Sequence, residues 1–398
     1  MDGLLLSLMV IPLVAAAAPL LAAAIGKVAK VPLVVFEIAL GIMIGPSLLG
    51  WAEPTEFVKI LADLGLAMLF FMAGNEINFA AIKGRPLNRA SIAWLISLAG
   101  GLLVGILIAP TVAAGVFIAV ALSSTALGTL LPVLRDAKEL STPFGKAVTA
   151  IGTVGEFGPL LAISLFLSGH SLGHSVVVLL GFVLISGLAI WLTGRGENKV
   201  IHSMVNATLH SSGQFAVRLV LLILALLVGL SMAFGLDMLL GAFSAGVLWR
   251  VLISGAAPHD REVVEHKLDA VAFGFLVPLF FINTGVVFDV DALLSSPLTL
   301  ALVPLFLVLF LVVRGLPNLL AAPVGATPRD KRAMVLFSAT GLPVIVAVTA
   351  IGLERGLLPS GIATALIGAG MLSVLLFPML ALLYRRKEAP YGSGTTAA

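Results

Sequence analysis

Long apolar runs dominate this chain, each near the length a helix needs to cross a bilayer. A hydrocarbon core of about 30 Å takes roughly 20 residues at the helical rise. About thirteen runs meet that length. They are 4–25, 31–50, 58–75, 90–109, 111–134, 146–168, 174–193, 215–234, 236–254, 269–287, 297–321, 332–353 and 359–384. Inside lipid every backbone N–H and C=O must be satisfied by protein, so apolar segments of this length are helices. The chain therefore reads as an all-α polytopic membrane protein. Only 11% of its 398 residues are charged and 60% are hydrophobic. The charged share is under half of the ~25% typical of soluble domains. Disorder, coiled coil and nucleic-acid binding are excluded on that ground.

The connections are too short for a soluble catalytic or nucleotide-binding domain. The first run has no basic n-region and no A-x-A cleavage site in place, so it reads as a retained span. There is no cysteine, which excludes disulfides, thiol catalysis and cysteine-held metals. The histidines form no HExxH pattern, and His170 and His174 fall in a Gly/Ser-rich turn.

The net charge of +3 matters less than its placement. With the N-terminus outside, the cytoplasmic connections would hold Lys27 and Lys30; Lys83, Arg85 and Arg89; Arg135, Lys138 and Lys146; Arg195, Lys199 and Arg218. They continue with Arg250, Arg261 and Lys267, then Arg329, Lys331 and Arg332, then Arg385, Arg386 and Lys387. Only Lys59 and Arg355 fall outside, and Arg314 lies within a span. This positive-inside asymmetry sets the orientation and supports the span count, because one span more or fewer would scramble it.

An odd span count divides into two equal halves around a linker: 1–168, the linker helix 174–193, and 215–384, followed by a tail over 385–398. Each helix would then run opposite to its counterpart, the topology of inverted-repeat transporters. The fifth helix of each half carries hydroxyls and glycine near mid-span. The first reads Ala121-Leu122-Ser123-Ser124-Thr125-Ala126-Leu127-Gly128-Thr129, the second Ser338-Ala339-Thr340-Gly341-Leu342-Pro343. Proline removes a backbone donor and glycine weakens a helix. Irregular backbone at membrane depth is tolerated where it is buried or lines a cavity. Small residues also pack ordinary membrane helices, but matching positions in both halves favour two broken helices crossing at an ion site.

Glu156 is the carboxylate most clearly inside the membrane. It lies about ten residues into its helix, ~15 Å deep, within Gly152-Thr153-Val154-Gly155-Glu156-Phe157-Gly158-Pro159. An ionised carboxylate there costs at least ~2.5 kcal/mol. The glycines are expected to leave space around it, and Pro159 frees a backbone carbonyl one turn earlier. The plain alternative is a protonated glutamate hydrogen-bonded to a neighbouring helix. Arg314 is the second outlier. It stays charged, so it either snorkels to the cytoplasmic interface or pairs with Glu156 or Glu37. Glu37, about seven residues into its span and near the cytoplasmic interface, reads either as a simply solvated carboxylate or as a candidate accessory group. Glu76 and Asp63 read as interfacial and Asp237 as a helix cap. The Gly152-x-x-Gly155-x-x-Gly158 spacing follows no strand, which rules out a nucleotide fingerprint. No nucleophilic triad or metal-ligand cluster appears, so no enzyme is expected.

These residues resemble the monovalent cation:proton antiporters of the sodium/proton exchanger superfamily, especially the Kef-like and Nap-like branch. The resemblance rests on ordered segments: Pro32 to Glu37 with Gly45-Pro46-Ser47-Leu48-Leu49-Gly50; Leu64 to Gly74; Ala121 to Thr125; Gly241-Ala242-Phe243-Ser244-Ala245-Gly246; and Pro278-Leu279-Phe280-Phe281 with Gly285. It implies a homodimer in the cytoplasmic membrane and a core domain that moves as an elevator. It also implies a carboxylate on the sixth helix that binds proton and cation alternately, the place held by Glu156. The family's usual residue is aspartate, often after a polar residue, whereas this chain has Gly155-Glu156. One titrating carboxyl implies electroneutral exchange. Arg314 falls where the family carries a basic residue. Kef-like relatives often add a C-terminal nucleotide-binding domain, and none is seen here; a separate regulatory subunit stays open.

The expected mechanism is competition at Glu156. Protonation or cation binding neutralises the carboxyl, and only neutral forms cross the barrier readily. Ser124, Thr125 and Thr153 with unwound carbonyls would supply hard oxygen ligands for sodium or potassium, with Gly155, Thr340, Gly341 and Pro343 shaping the crossing. No cofactor is expected. Two rivals remain: a proton-coupled organic anion transporter held by Arg314, and a membrane sensor or channel-like subunit.

Overall fold

A computed structural model describes residues 3–25, 31–77, 82–166, 172–195 and 214–385. Lys27, Lys30, His170, Lys199, Arg386 and Lys387 lie outside the described residues. Among those described, the chain is helical and contains no strand. The helices are α1 Gly3–Ile25, α2 Leu33–Ile44, α3 Glu56–Glu76, α4 Arg85–Ile108, α5 Val112–Leu122, α6 Leu127–Asp136, α7 Pro143–Phe166 and α8 Leu172–Arg195. They continue as α9 Phe215–Ala233, α10 Met238–Ile253, α11 Pro258–Val271, α12 Val277–Val286, α13 Val290–Leu294, α14 Pro297–Leu309, α15 Pro328–Ser338, α16 Pro343–Glu354 and α17 Ser360–Arg385.

Among the described residues eleven segments are long and apolar enough to cross a membrane, and α2 and α10 are shorter apolar helices. The apolar runs 31–50 and 236–254 predict full-length spans at these two places. α2 ends earlier because Gly45 is extended, as a residue before proline tends to be. α10 starts late because Asp237 caps it, accepting from the Leu239 amide at 3.0 Å. The opposite correction applies to the run starting at 269. Its helix begins at Pro258, where proline suits the first turn. It passes through a π-turn stretch, Ala272–Leu276, into α12.

Burial separates the helices into lining and interior. The membrane windows of the broken pair α5–α6, of α7 and of the broken pair α15–α16 are 67%, 72% and 78% buried, against 11% for α8. The chemistry-bearing helices are thus enclosed, while α1, α4, α8 and α14 present leucines outward, among them Leu13, Leu107, Leu184 and Leu298. Close backbone contact joins α3 to α10. A Cβ on Gly246 would overlap the Phe71 carbonyl, which accounts for the small-residue stretch 241–246. At one end of the molecule Arg385 donates Nε to Glu139 at 3.0 Å and also bonds Asp330. That tie joins the α6–α7 connection, α15 and α17. Lys59 and Glu354 pair at 2.7 Å on the exposed surface.

Candidate functional site

The two expected breaks are present, and they meet. The first separates α5 from α6 at Ser123–Ala126, the second α15 from α16 at Ala339–Leu342. The Ala126 amide donates to the Thr340 carbonyl at 2.8 Å, and the Thr125 hydroxyl to the Ser338 carbonyl at 2.6 Å. Each break therefore satisfies backbone groups that the other leaves free, which is how unwound chain survives at this depth. Gly341 is held to α17 by Ser373, whose hydroxyl accepts from the Gly341 amide at 3.2 Å and lies 3.0 Å from its carbonyl. Pro343 opens α16.

α7 runs through this crossing. Pro159 has no N–H to give the Gly155 carbonyl, and that carbonyl accepts from the Thr125 amide at 3.0 Å. The freed acceptor anticipated from the proline thus ties α7 to the first break. The expectation of open space beside the glycines is corrected. Gly152 faces Leu127, Gly155 faces Thr125 and the Arg314 guanidinium, and Gly158 faces the Trp94 ring. The missing Cβ atoms admit the broken helix and an arginine, and the space is filled.

Arg314 stands in a π-turn stretch, Phe310–Gly315, and is fully buried. Its Nε donates to Thr125 Oγ1 at 2.8 Å and its Nη2 to the Ile151 carbonyl at 2.9 Å. Asn318 donates to the Arg314 carbonyl at 2.7 Å. Nη1 has no partner. Arg314 neither snorkels nor pairs with a carboxylate: it makes no ion pair with Glu156 or Glu37. Ser124 donates to Ala121 O at 2.8 Å, and Thr340 to Leu336 O at 3.0 Å. Of the four expected oxygen donors, Ser124 and Thr125 therefore have engaged hydroxyls, whereas Thr153 and Glu156 do not. Thr153 Oγ1 and Glu156 Oε2 are buried without partners. Three residues apart, they share one face of α7.

Glu156, but not Thr153, lines a cavity of about 510 Å³. Glu156, Pro343, Gly128 and Thr129 line it from the crossing, and Glu37, Glu76, Met72 and Phe281 from α2, α3 and α12. Glu76, the last residue of α3, is exposed there, as an interfacial carboxylate would be, and it also lines the cavity. The cavity lies toward the start of α2 and the end of α3, the helix ends flanked by the basic loops. Among the described residues no three His, Asp or Glu cluster closely enough to hold a metal ion. Ile151, Asn318, Ser373, Trp94 and Glu76 were not among the sequence candidates. Their roles depend on contacts between distant helices, which no local spacing announces.

A family model described as sodium/hydrogen exchanger, transmembrane matches residues 13–382. The putative Na(+)/H(+) antiporter YjbQ of Bacillus subtilis is 26% identical over 91% of this chain and 60% of its own length. The Na(+)/H(+)-K(+) antiporter GerN of Bacillus cereus is 24% identical over 87% of this chain and 88% of its own. The solved structure of the sodium proton antiporter MjNhaP1 from Methanocaldococcus jannaschii shares the fold. It matches with a TM-score of 0.69 and 18% identity, covering 97% of this chain and 99% of that one. The all-helical membrane architecture, the two crossing breaks and the extent of the family match agree: the chain belongs to the sodium/hydrogen exchanger family, whose members are cation/proton antiporters rather than enzymes and need no cofactor.

Proposed function

We propose that this protein exchanges a monovalent cation, sodium first and potassium second, for protons by elevator-type alternating access in a cytoplasmic membrane. The exchange is electroneutral and the working unit is a homodimer. The observation that carries the reading is the pair of buried, unpartnered oxygens on α7: Glu156 Oε2, whose residue lines the cavity, and Thr153 Oγ1 one turn earlier. A buried carboxylate with an open coordination position can be neutralised by a proton or by a hard cation. An ionised, empty site would carry a bare charge into a low-dielectric barrier. Only loaded states move, and that couples the two ions.

Glu156 and Thr153 are the ion ligands in this account, with Ser124 as a further oxygen. Thr125 and Arg314 hold the crossing through their mutual bond, and Gly155, Thr340, Gly341 and Pro343 shape it. The repeats 1–168 and 215–384, joined by 174–193, supply the two-fold design. The N-terminus lies outside and the C-terminus inside by the distribution of lysine and arginine. One carboxylate in the pair Gly155-Glu156 supports one cation for one proton. Sodium is favoured by the names of YjbQ and GerN. Among the described residues no lysine, arginine or histidine lines the cavity, which disfavours an organic anion.

The test uses proteoliposomes with an internal pH dye and an imposed pH gradient, with sodium, potassium and lithium added in turn. The membrane potential is set by a potassium-selective ionophore in the sodium and lithium series. Cation-driven proton movement that ignores the potential supports the reading. Movement that follows the potential overturns electroneutrality, and none with any cation between pH 6 and 9 overturns exchange.

A further inference from the structure

Three charged side chains stand apart from the cavity and the crossing. Arg385, the last residue of α17, lies between two carboxylates. Its Nε donates to Glu139 Oε1 at 3.0 Å, and its Nη1 bonds Asp330 Oδ1. The side chains of Arg385, Glu139 and Asp330 are 18%, 16% and 15% exposed. Both carboxylates are oriented by threonines that precede α7 and α15. Glu139 Oε2 accepts from the Thr142 hydroxyl at 2.9 Å, and Asp330 Oδ2 from the Thr327 amide at 2.9 Å. An arginine fork between two fixed, largely buried carboxylates has a defined geometry that an isolated surface pair lacks.

The elements joined here are the ones that break. α6 runs from the first break toward the connection that holds Glu139, and α15 runs from Asp330 to the second break. Each is about 15 Å long at the helical rise. At the crossing they are tied by Thr125 to Ser338 and by Ala126 to Thr340. Arg385 ties their far ends. α17 closes the figure, because its Ser373 holds Gly341. The frame is packed inside: Leu130, Leu134, Met334 and Phe337 share one apolar cluster with Phe144. The Arg385 guanidinium lies 4.3 Å over the Phe144 ring, and that ring stands 6.1 Å from the ring of Phe337, the neighbour of Ser338. The charged cluster therefore reaches the second break through packing as well as through the helices.

We propose that Arg385, Glu139 and Asp330 are positioning residues for the ion site: they clamp the far ends of α6 and α15 and so keep the crossing in the form that binds the cation. Without the clamp the two half-helices pivot about the crossing. The binding form is then populated for a smaller fraction of the time, and apparent affinity falls by that fraction. Saturating cation refills the same form, so the maximal rate is spared. The kinetic consequence rests on the exchange reading above; the structural consequence stands without it.

Hydrogen exchange on the full chain in detergent tests the frame without any transport. In Arg385→Gln the amides of Thr125 and Ala126, which donate to the Gly155 and Thr340 carbonyls, should exchange about tenfold faster, while those of α3 and α10 keep their wild-type rates. Acceleration confined to the clamped ends of α6, α15 and α17, or spread evenly over all helices, overturns the positioning role. In proteoliposomes the same variant should raise half-saturating sodium by about tenfold and leave the maximal rate within about twofold. Normal half-saturation, with or without a lost maximal rate, contradicts it. The chain has no cysteine, which permits a rescue. Glu139→Cys combined with Arg385→Cys should show the same rise. Bridging the two thiols with a flexible bifunctional methanethiosulfonate should bring half-saturation back to within about twofold of wild type, until a reductant cuts the bridge. Confirmed bridging without recovery sinks the clamp. If Arg385→Gln fails to fold, Glu139→Gln, which leaves Arg385 on Asp330, takes its place in each measurement. If the wild type exchanges nothing, the exchange reading fails and hydrogen exchange still decides the clamp.

Discussion

The Arg314 guanidinium donates to the Thr125 hydroxyl at 2.8 Å, and that hydroxyl in turn donates to the Ser338 carbonyl at 2.6 Å. One threonine thus links a buried charge, the first break and the end of α15. This makes Arg314 a brace of the crossing. The cost of burying its charge is offset by fixed oxygens and without a counter-carboxylate.

Thr125→Val keeps the shape and removes the hydroxyl. It leaves the Arg314 Nε and the Ser338 carbonyl each short of a partner. Loss of a hydrogen bond to a charged group costs about 1.5–3 kcal/mol. A lower melting temperature in detergent and slower exchange at saturating cation are expected. Valine at 125 with unchanged melting would show that the brace is idle.

Gly155→Ala places a Cβ 2.7 Å from Thr125 Cβ and against the Arg314 guanidinium. Overpacking of this kind typically costs 1–3 kcal/mol, about enough to lower the melting point of a membrane domain measurably. Gly229→Ala, with nothing within 4 Å of the added atom, should be neutral or slightly stabilising, since alanine favours the helix by up to ~1 kcal/mol. Comparing the two melting curves separates a close-packing glycine from a merely helical one.

Much of this was legible in the residues. The apolar lengths marked the spans, paired Ser/Thr/Gly segments marked the breaks, and Pro159 marked the freed Gly155 carbonyl. The glycine row on α7 was visible, but its purpose was not, because Trp94, Leu127 and Arg314 arrive from three distant helices. Glu76 reads as interfacial from its place at the end of α3 and is exposed there; that it also borders a cavity shared with residues of α2, α7 and α12 is visible only in the fold. Arg314 invited pairing with a carboxylate by charge, and the geometry gives it carbonyl and hydroxyl partners. Local pattern reports depth and backbone freedom, whereas partner choice is a long-range property.

The pH dependence has a definite sign. A cation binds the deprotonated carboxyl of Glu156, so protons compete with it. As pH falls through the carboxyl's titration, half-saturating cation should rise, approaching about tenfold per pH unit, and should level off on the alkaline side. Initial exchange rates at several cation concentrations between pH 6 and 9 check this. A half-saturating concentration indifferent to pH would mean that proton and cation use separate sites.

Orientation can be mapped directly because the chain has no cysteine. Single cysteines at Lys59 and Arg355 should react with an impermeant maleimide added outside intact cells, while cysteines at Lys146 and Lys331 should react only after permeabilisation. The reverse pattern would invert the topology and place the Glu156 cavity on the outer side.

The most direct measurement concerns Glu156 itself. Wild type and Glu156→Gln are reconstituted at equal density in pH-dye-loaded liposomes, and sodium is added against an imposed pH gradient. The account predicts rapid sodium-dependent dissipation in the wild type and none above the empty-liposome leak in a folded Glu156→Gln. Sodium-driven proton movement retained by Glu156→Gln would contradict it.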